Sequence, residues 1–105
     1  MTVNIKNQAG GYMRKVHEKA IENLTAGKQG RVARNDVITC TMADFGGLYK
    51  AWYYHENPIA TIDSTGVHVN WNGYYTYSTN MRIYALCAYL GVPRPEKKEG
   101  WIKVA

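Results

Sequence analysis

Apolar and polar positions along the chain change their period more than once, and each change predicts an element. Over residues 12–26, YMRKVHEKAIENLTA, the residues Met13, Val16, Ala20 and Leu24 recur at three- and four-residue spacing, which lines one face of a helix. Gly27 follows as a stop, because glycine accepts the left-handed conformation that ends a helix. Arg14, Lys15, Glu18, Lys19 and Glu22 fall on the polar side, with Glu18 in reach of both Arg14 and Lys15. The next stretch, GKQGRVARN, reads as a basic connection containing glycine.

From Val37 the period drops to two. VITCTM alternates Ile38, Cys40 and Met42 against Thr39 and Thr41, the mark of a strand with one covered face. LYKAWYY (48–54) is again β-prone, and HENP (55–58) supplies a turn. IATID (59–63) and VHVNW (67–71) flank STG, which predicts a tight hairpin. Asn72-Gly73 offers residues that take positive φ, so the chain is expected to turn again into YYTY as a further strand.

The helical period then returns. In NMRIYALCAYL, Ile83, Leu86, Cys87 and Leu90 fall at i, i+3, i+4 and i+7, a full apolar stripe. Ser78 or Thr79 is the expected N-cap; Gly91 ends the helix, and Pro93 and Pro95 prevent its resumption. A charged loop, EKKEG, leads to WIKV as a final edge strand. The expected fold is α+β: an antiparallel sheet of about four or five strands with two helices packed on one face. It forms a single domain over 1–105, with a basic helical part at about 10–34 and a sheet-plus-helix part at about 36–105.

Composition sharpens this picture at two points. Nine tyrosines stand against one phenylalanine; tyrosine joins a large apolar area to a hydroxyl and so suits half-buried faces and interfaces. The formal charge of +5 is also uneven. Residues 1–34 hold seven basic side chains against two acidic ones, whereas the rest of the chain is balanced. A basic segment of that kind speeds encounter with anionic partners, whether nucleic acid or an acidic protein surface. No apolar run approaches the roughly 18 residues of a membrane span, and the polar start MTVNIKNQAG carries no secretory signal. A soluble protein of the cytoplasm is expected, without membrane partners.

Candidate chemistry is sparse. Cys40 and Cys87 are far apart in apolar surroundings, without the clustered spacing of metal ligands, and are expected as free thiols. His17, His55 and His68 have no cysteine or carboxylate at metal spacing and are expected on the surface or in packing. Asp36, Asp44, Asp63 and Glu56 fall in or beside turns, where carboxylates make local hydrogen bonds. GKQGR lacks the Gly-Lys-Ser/Thr ending of a phosphate-binding loop. No metal, cofactor or catalytic set is expected, and the chain is not read as an enzyme.

The stretch YYHENPIATIDSTGVHVNWNGYYTYSTNMRIYAL resembles a domain found in small phage proteins of unassigned function. That domain carries a Gly-aromatic-x-Thr-x-x-Thr-x-x-Arg-Ile/Leu segment, matched here by Gly73, Tyr74, Thr76, Thr79, Arg82 and Ile83. The resemblance covers about residues 48–104, reaching Trp101. It departs at Tyr74, where tryptophan is usual, and at Ser78-Thr79, where a Thr-Thr pair is usual. The resemblance implies a phage origin and no particular chemistry.

Two surfaces follow as candidates. Tyr75 and Tyr77, on one face of an alternating strand opposite Tyr74, would join Arg82 in an exposed aromatic and cationic patch. Arg14, Lys15, Lys19, Arg31 and Arg34 would form a basic one. The expected function is that of a small phage-type inhibitor binding a host protein or nucleoprotein complex, as an anti-CRISPR protein does. Direct nucleic-acid binding through the same basic residues and tyrosines is the alternative, and a second copy of the chain is a further candidate partner.

Overall fold

Alternating β-branched and aromatic residues draw the middle of the chain into one antiparallel sheet, seen here in a computed structural model that describes residues 15–43 and 47–105. Its strands are β1 (Gly30–Ala33), β2 (Asp36–Met42), β3 (Leu48–Tyr54), β4 (Asn57–Asp63), β5 (Gly66–Val69) and β6 (Ile102–Lys103). Helix α1 (Lys15–Ala26) precedes them and α2 (Tyr77–Leu90) lies between β5 and β6. Each strand pairs with the one before it, in the order β1-β2-β3-β4-β5-β6.

The register divides the strand residues between two faces. Ile38 opposes Trp52, Trp52 opposes Ala60, and Ala60 opposes Val69, so these four share a face. They form one buried cluster with Ala20, Ile21 and Leu24 of α1 and Ile83, Leu86 and Cys87 of α2. Both helices therefore cover the same side, as the pattern predicts. On the other side Thr39, Ala51, Thr61, His68 and Lys103 run in a row across five strands. No helix among the described residues lies over that row.

Local chemistry sets the ends of the helices. Gly27 has φ 70° and Gly91 has φ 71°. At each end two backbone N–H groups reach back to otherwise unpaired carbonyls, Lys28 to Asn23 and Gly27 to Leu24, and Val92 to Cys87 and Gly91 to Ala88. The buried stripe of α1 is His17, Ala20, Ile21 and Leu24, rotated from the expected one so that Ile21 enters the core and Val16 is half-buried. Met13 and Arg14 lie outside the described residues, as does Asp44.

The structure corrects three expectations. The sheet has six strands among the described residues, because GRVA, taken for a connection, pairs with β2 through Gly30–Ile38 and Arg31–Val37. The neighbouring strand supplies its hydrogen bonds, and its own composition is a poor guide. YYTY is not a strand: Tyr74–Thr76 pair with nothing and α2 begins at Tyr77. The N-cap is accordingly Thr76, whose backbone is extended (φ −90°, ψ 162°) and whose hydroxyl accepts from the Thr79 N–H.

Candidate docking surface

The Asn72-Gly73 turn takes φ of 55° and 79°, and the Tyr74 N–H closes it on the Trp71 carbonyl at 3.0 Å. From there a short loop reaches the Thr76 cap, and side chains brace it from both ends. The Trp71 indole N–H donates to Asn80 Oδ1 at 2.7 Å. Asn72 donates through Nδ2 to the Pro58 carbonyl of β4, and its own N–H donates to Asn70 Oδ1. The loop is thereby tied to β4 and to the first turn of α2, and its rings point outward. Tyr74 is 56% exposed, Tyr75 44% and Tyr77 70%.

The three rings are unequal in support. Tyr75 stacks on the buried Trp71, with ring centroids 6.3 Å apart and 25° between planes. Tyr74 borders a cavity of about 400 Å³ whose wall includes Tyr54, Ile59, Trp71, Thr76 and Thr79. Tyr77, the first residue of α2, stands furthest into solvent. Apolar rings with hydroxyl tips on a braced loop beside a partly apolar cavity are equipped to seat a side chain of another macromolecule.

Arg82 does not belong to this surface. It is 8% exposed and grips Asp36 with two parallel hydrogen bonds, Nε to Oδ2 at 2.8 Å and Nη2 to Oδ1 at 2.9 Å. Its Nη1 donates to the Ser78 carbonyl, and the Tyr54 ring lies 3.7 Å from its guanidinium carbon. Asp36 Oδ2 also accepts from the Trp52 indole at 2.9 Å. Asp36, expected beside a turn with local partners, is instead buried at the start of β2 and joins the sheet to α2.

The basic residues do not form one surface either. Lys15 and Lys19 are exposed on α1, but they share a shallow groove with Glu18 and Glu22, so that stretch is balanced in charge. Arg31 and Arg34 border a separate cavity on the sheet face opposite the helices. The helix spacing that brings Lys15 to Lys19 brings the two glutamates with them.

In the motif Gly73, Tyr74, Thr76, Thr79, Arg82 and Ile83, every residue but Tyr74 has a place in the scaffold. Gly73 makes the turn, Thr76 caps the helix, and Thr79 and Ile83 are buried. Cys87 is buried too, and burial pushes its thiol up to about 11, which leaves it protonated and unreactive at neutral pH. Among the described residues no group of three or more His, Cys, Asp or Glu gathers to hold a metal ion, and no helix is long and apolar enough to cross a membrane.

Sequence reasoning passed over Tyr53 and Tyr54 and took His55 for a surface or packing residue. The signal for them was present. Tyr49, Tyr53 and the intervening Ala51 alternate with Lys50, Trp52 and Tyr54, which places tyrosine rings on both faces of β3. Comparison with family models, with curated proteins and with solved structures finds no match.

Proposed function

We propose that the chain is a small non-enzymatic binding protein that docks through its tyrosine loop on a host protein or nucleoprotein complex and inhibits it. The observation that carries this reading is the set of three exposed rings, Tyr74, Tyr75 and Tyr77, on a loop held at both ends. A protein that exposes aromatic area on a mobile tail loses binding energy when it orders that tail, whereas a braced loop avoids much of this cost. The resemblance to small phage proteins supplies the biological setting: an anti-defence protein acting in the cytoplasm of an infected bacterium, of the anti-CRISPR type.

The test compares the native protein with Y74A/Y75A/Y77A. Each is tagged and incubated with bacterial CRISPR effector complexes, and binding and target cleavage are measured. Binding and inhibition by the native protein that the triple variant lacks, at unchanged thermal stability, support the reading. Equal behaviour of the two proteins refutes it.

Nucleic-acid binding is the second reading, favoured by Arg31 and Arg34 on the sheet face opposite the helices. The balanced charge along α1 weakens its original form, in which one continuous basic surface tracks phosphates.

A further inference from the structure

The cavity at the β1 end of the sheet face opposite the helices shares His55 with the cavity beside Tyr74 but has a different chemistry. It measures about 430 Å³, within the range of small-molecule sites. Two strands and two turns build it. β2 contributes Val37 and Thr39, and β3 contributes Tyr53. The β1–β2 turn brings Arg34 and Asn35, and the β3–β4 turn brings His55 and Glu56. Arg31, opposite Val37 on β1, closes the edge.

Three features of this cavity point to an anionic ligand with a flat ring. Arg31 and Arg34 are both exposed, and neither is in an ion pair with any described residue. Arg31 is held in place by its Nη1, which donates to the Arg34 carbonyl at 2.6 Å, so four of its five N–H donors have no bond to protein among those described. Two guanidiniums against the single carboxylate of Glu56 leave the hollow with a net positive charge, suited to a phosphate. The hollow is far larger than a phosphate ion, and Val37 with the Tyr53 ring gives it an apolar side. Asn35, Thr39 and Glu56 add donors and acceptors of both kinds.

The backbone supports the assignment. His55 and Glu56 have φ of 50° and 67°, a conformation that two-residue hairpin turns normally fill with Asn-Gly. Holding two residues with side chains there costs stability, and the cost sets both side chains at the rim of the cavity. Further along the same face of β3, burial pushes the Tyr49 phenol up, with smaller contributions from Tyr53 and then Asp63.

We infer that this cavity is a site for a single nucleotide, which sets its phosphate on Arg31 and Arg34 and its base against the Tyr53 ring. A free nucleoside monophosphate and one nucleotide of a single strand share this chemistry. The site includes none of the three loop tyrosines and does not rest on the inhibitory role proposed for them.

Amide chemical shifts of the isotope-labelled protein test this. The probes are the nucleoside monophosphates, their unphosphorylated nucleosides, inorganic phosphate, a five-residue single strand and a phosphotyrosine peptide. A nucleotide is expected to shift amides in residues 31–39 and 53–56 and to saturate well below the concentrations that phosphate or nucleoside alone requires. R34A weakens nucleotide binding about tenfold or more, the loss of a charged hydrogen-bonded contact. Y53F retains binding, and Y53A reduces the nucleotide to the affinity of plain phosphate. Y74A/Y75A/Y77A binds nucleotides as the native protein does, so failure at the tyrosine loop and failure here are told apart. A monophosphate that binds while the short strand does not identifies the free nucleotide as ligand; binding of both identifies the single strand. Shifts that are absent at the highest usable nucleotide concentration overturn the inference. So does phosphate binding as tightly as any nucleotide, or the phosphopeptide binding more tightly than all of them.

Discussion

Arg82 and Arg34 carry the same guanidinium to opposite faces of one sheet. On the covered face, Arg82 is buried, doubly bonded to Asp36, capped by the Tyr54 ring and linked through Asp36 to Trp52. On the face opposite the helices, Arg34 stands exposed at the rim of a hollow, without an ion pair to any described residue. The difference teaches that charge on this chain is structural where it is enclosed and available where a cavity borders it. Neither role is set by residue type.

The largest effect should come from breaking the enclosed pair. R82M leaves the Asp36 carboxylate buried with one indole donor, and the loss of a buried partner costs about 3–5 kcal/mol. Chemical denaturation should show that fall, while R34M stays within about 0.5 kcal/mol of the native protein, as exposed substitutions do. Equal losses in the two variants would erase the contrast between the faces.

Next in size is G66A. Gly66 has φ 128°, and a Cβ there would run into the Ala105 carbonyl, which already accepts the Val67 N–H at 2.9 Å. A strained backbone and the displacement of β6 should together cost about 1–3 kcal/mol, read as a lowered thermal midpoint.

A smaller effect of the opposite sign sharpens the comparison. H55N/E56G gives the β3–β4 turn the residues it favours and should gain about 0.5–1 kcal/mol, measured by denaturation. The same variant removes the His55 ring and the Glu56 carboxylate from the rim, so stability should rise while nucleotide binding falls, the loss of the ring outweighing the release of the Glu56 charge. A variant that gains on both counts would show that the turn is not held for the sake of the cavity.

Smallest is the effect of acid on the β4–β5 hairpin. Thr65 donates to Asp63 Oδ1 through both its N–H and its hydroxyl, and these bonds, the hydroxyl's first, hold the carboxyl below its ordinary 3.8. A carboxyl lowered by folding contributes stability above its unfolded value and loses it as pH falls through the folded one. Carbon-13 titration of Asp63 should therefore give a midpoint below 3.8. A midpoint above it would contradict the turn geometry.

Most of the architecture was legible because burial follows period. Ile83, Leu86 and Cys87 sit on the predicted stripe of α2, and Val67, Val69 and Trp71 are buried as the alternation requires. Two elements were missed for one reason: their conformation is decided by partners distant in sequence. GRVA becomes a strand because β2 pairs with it, and YYTY fails to become one because Asn72 is drawn to Pro58 and Thr76 caps α2. Tyr75 and Tyr77 are exposed as expected, but the alternation that set them opposite Tyr74 does not exist, and Tyr74 is exposed as well. The burial of Arg82 was not legible, since its partner Asp36 lies 46 residues earlier and nothing local marks either as enclosed.

That separation also bears on how the molecule assembles. Strands β1 to β5 each follow their neighbour directly in the chain, so these hairpins can zip in succession with short loops to close, a topology that favours rapid folding, whereas β6 reaches β5 only after α2. The Asp36–Arg82 clasp runs from β2 to α2 and needs the intervening strands and α2 in place. Interactions made that late resist unravelling more than they hasten assembly. Loss of the clasp should therefore appear chiefly as a faster escape from the native state, with the refolding rate almost unchanged.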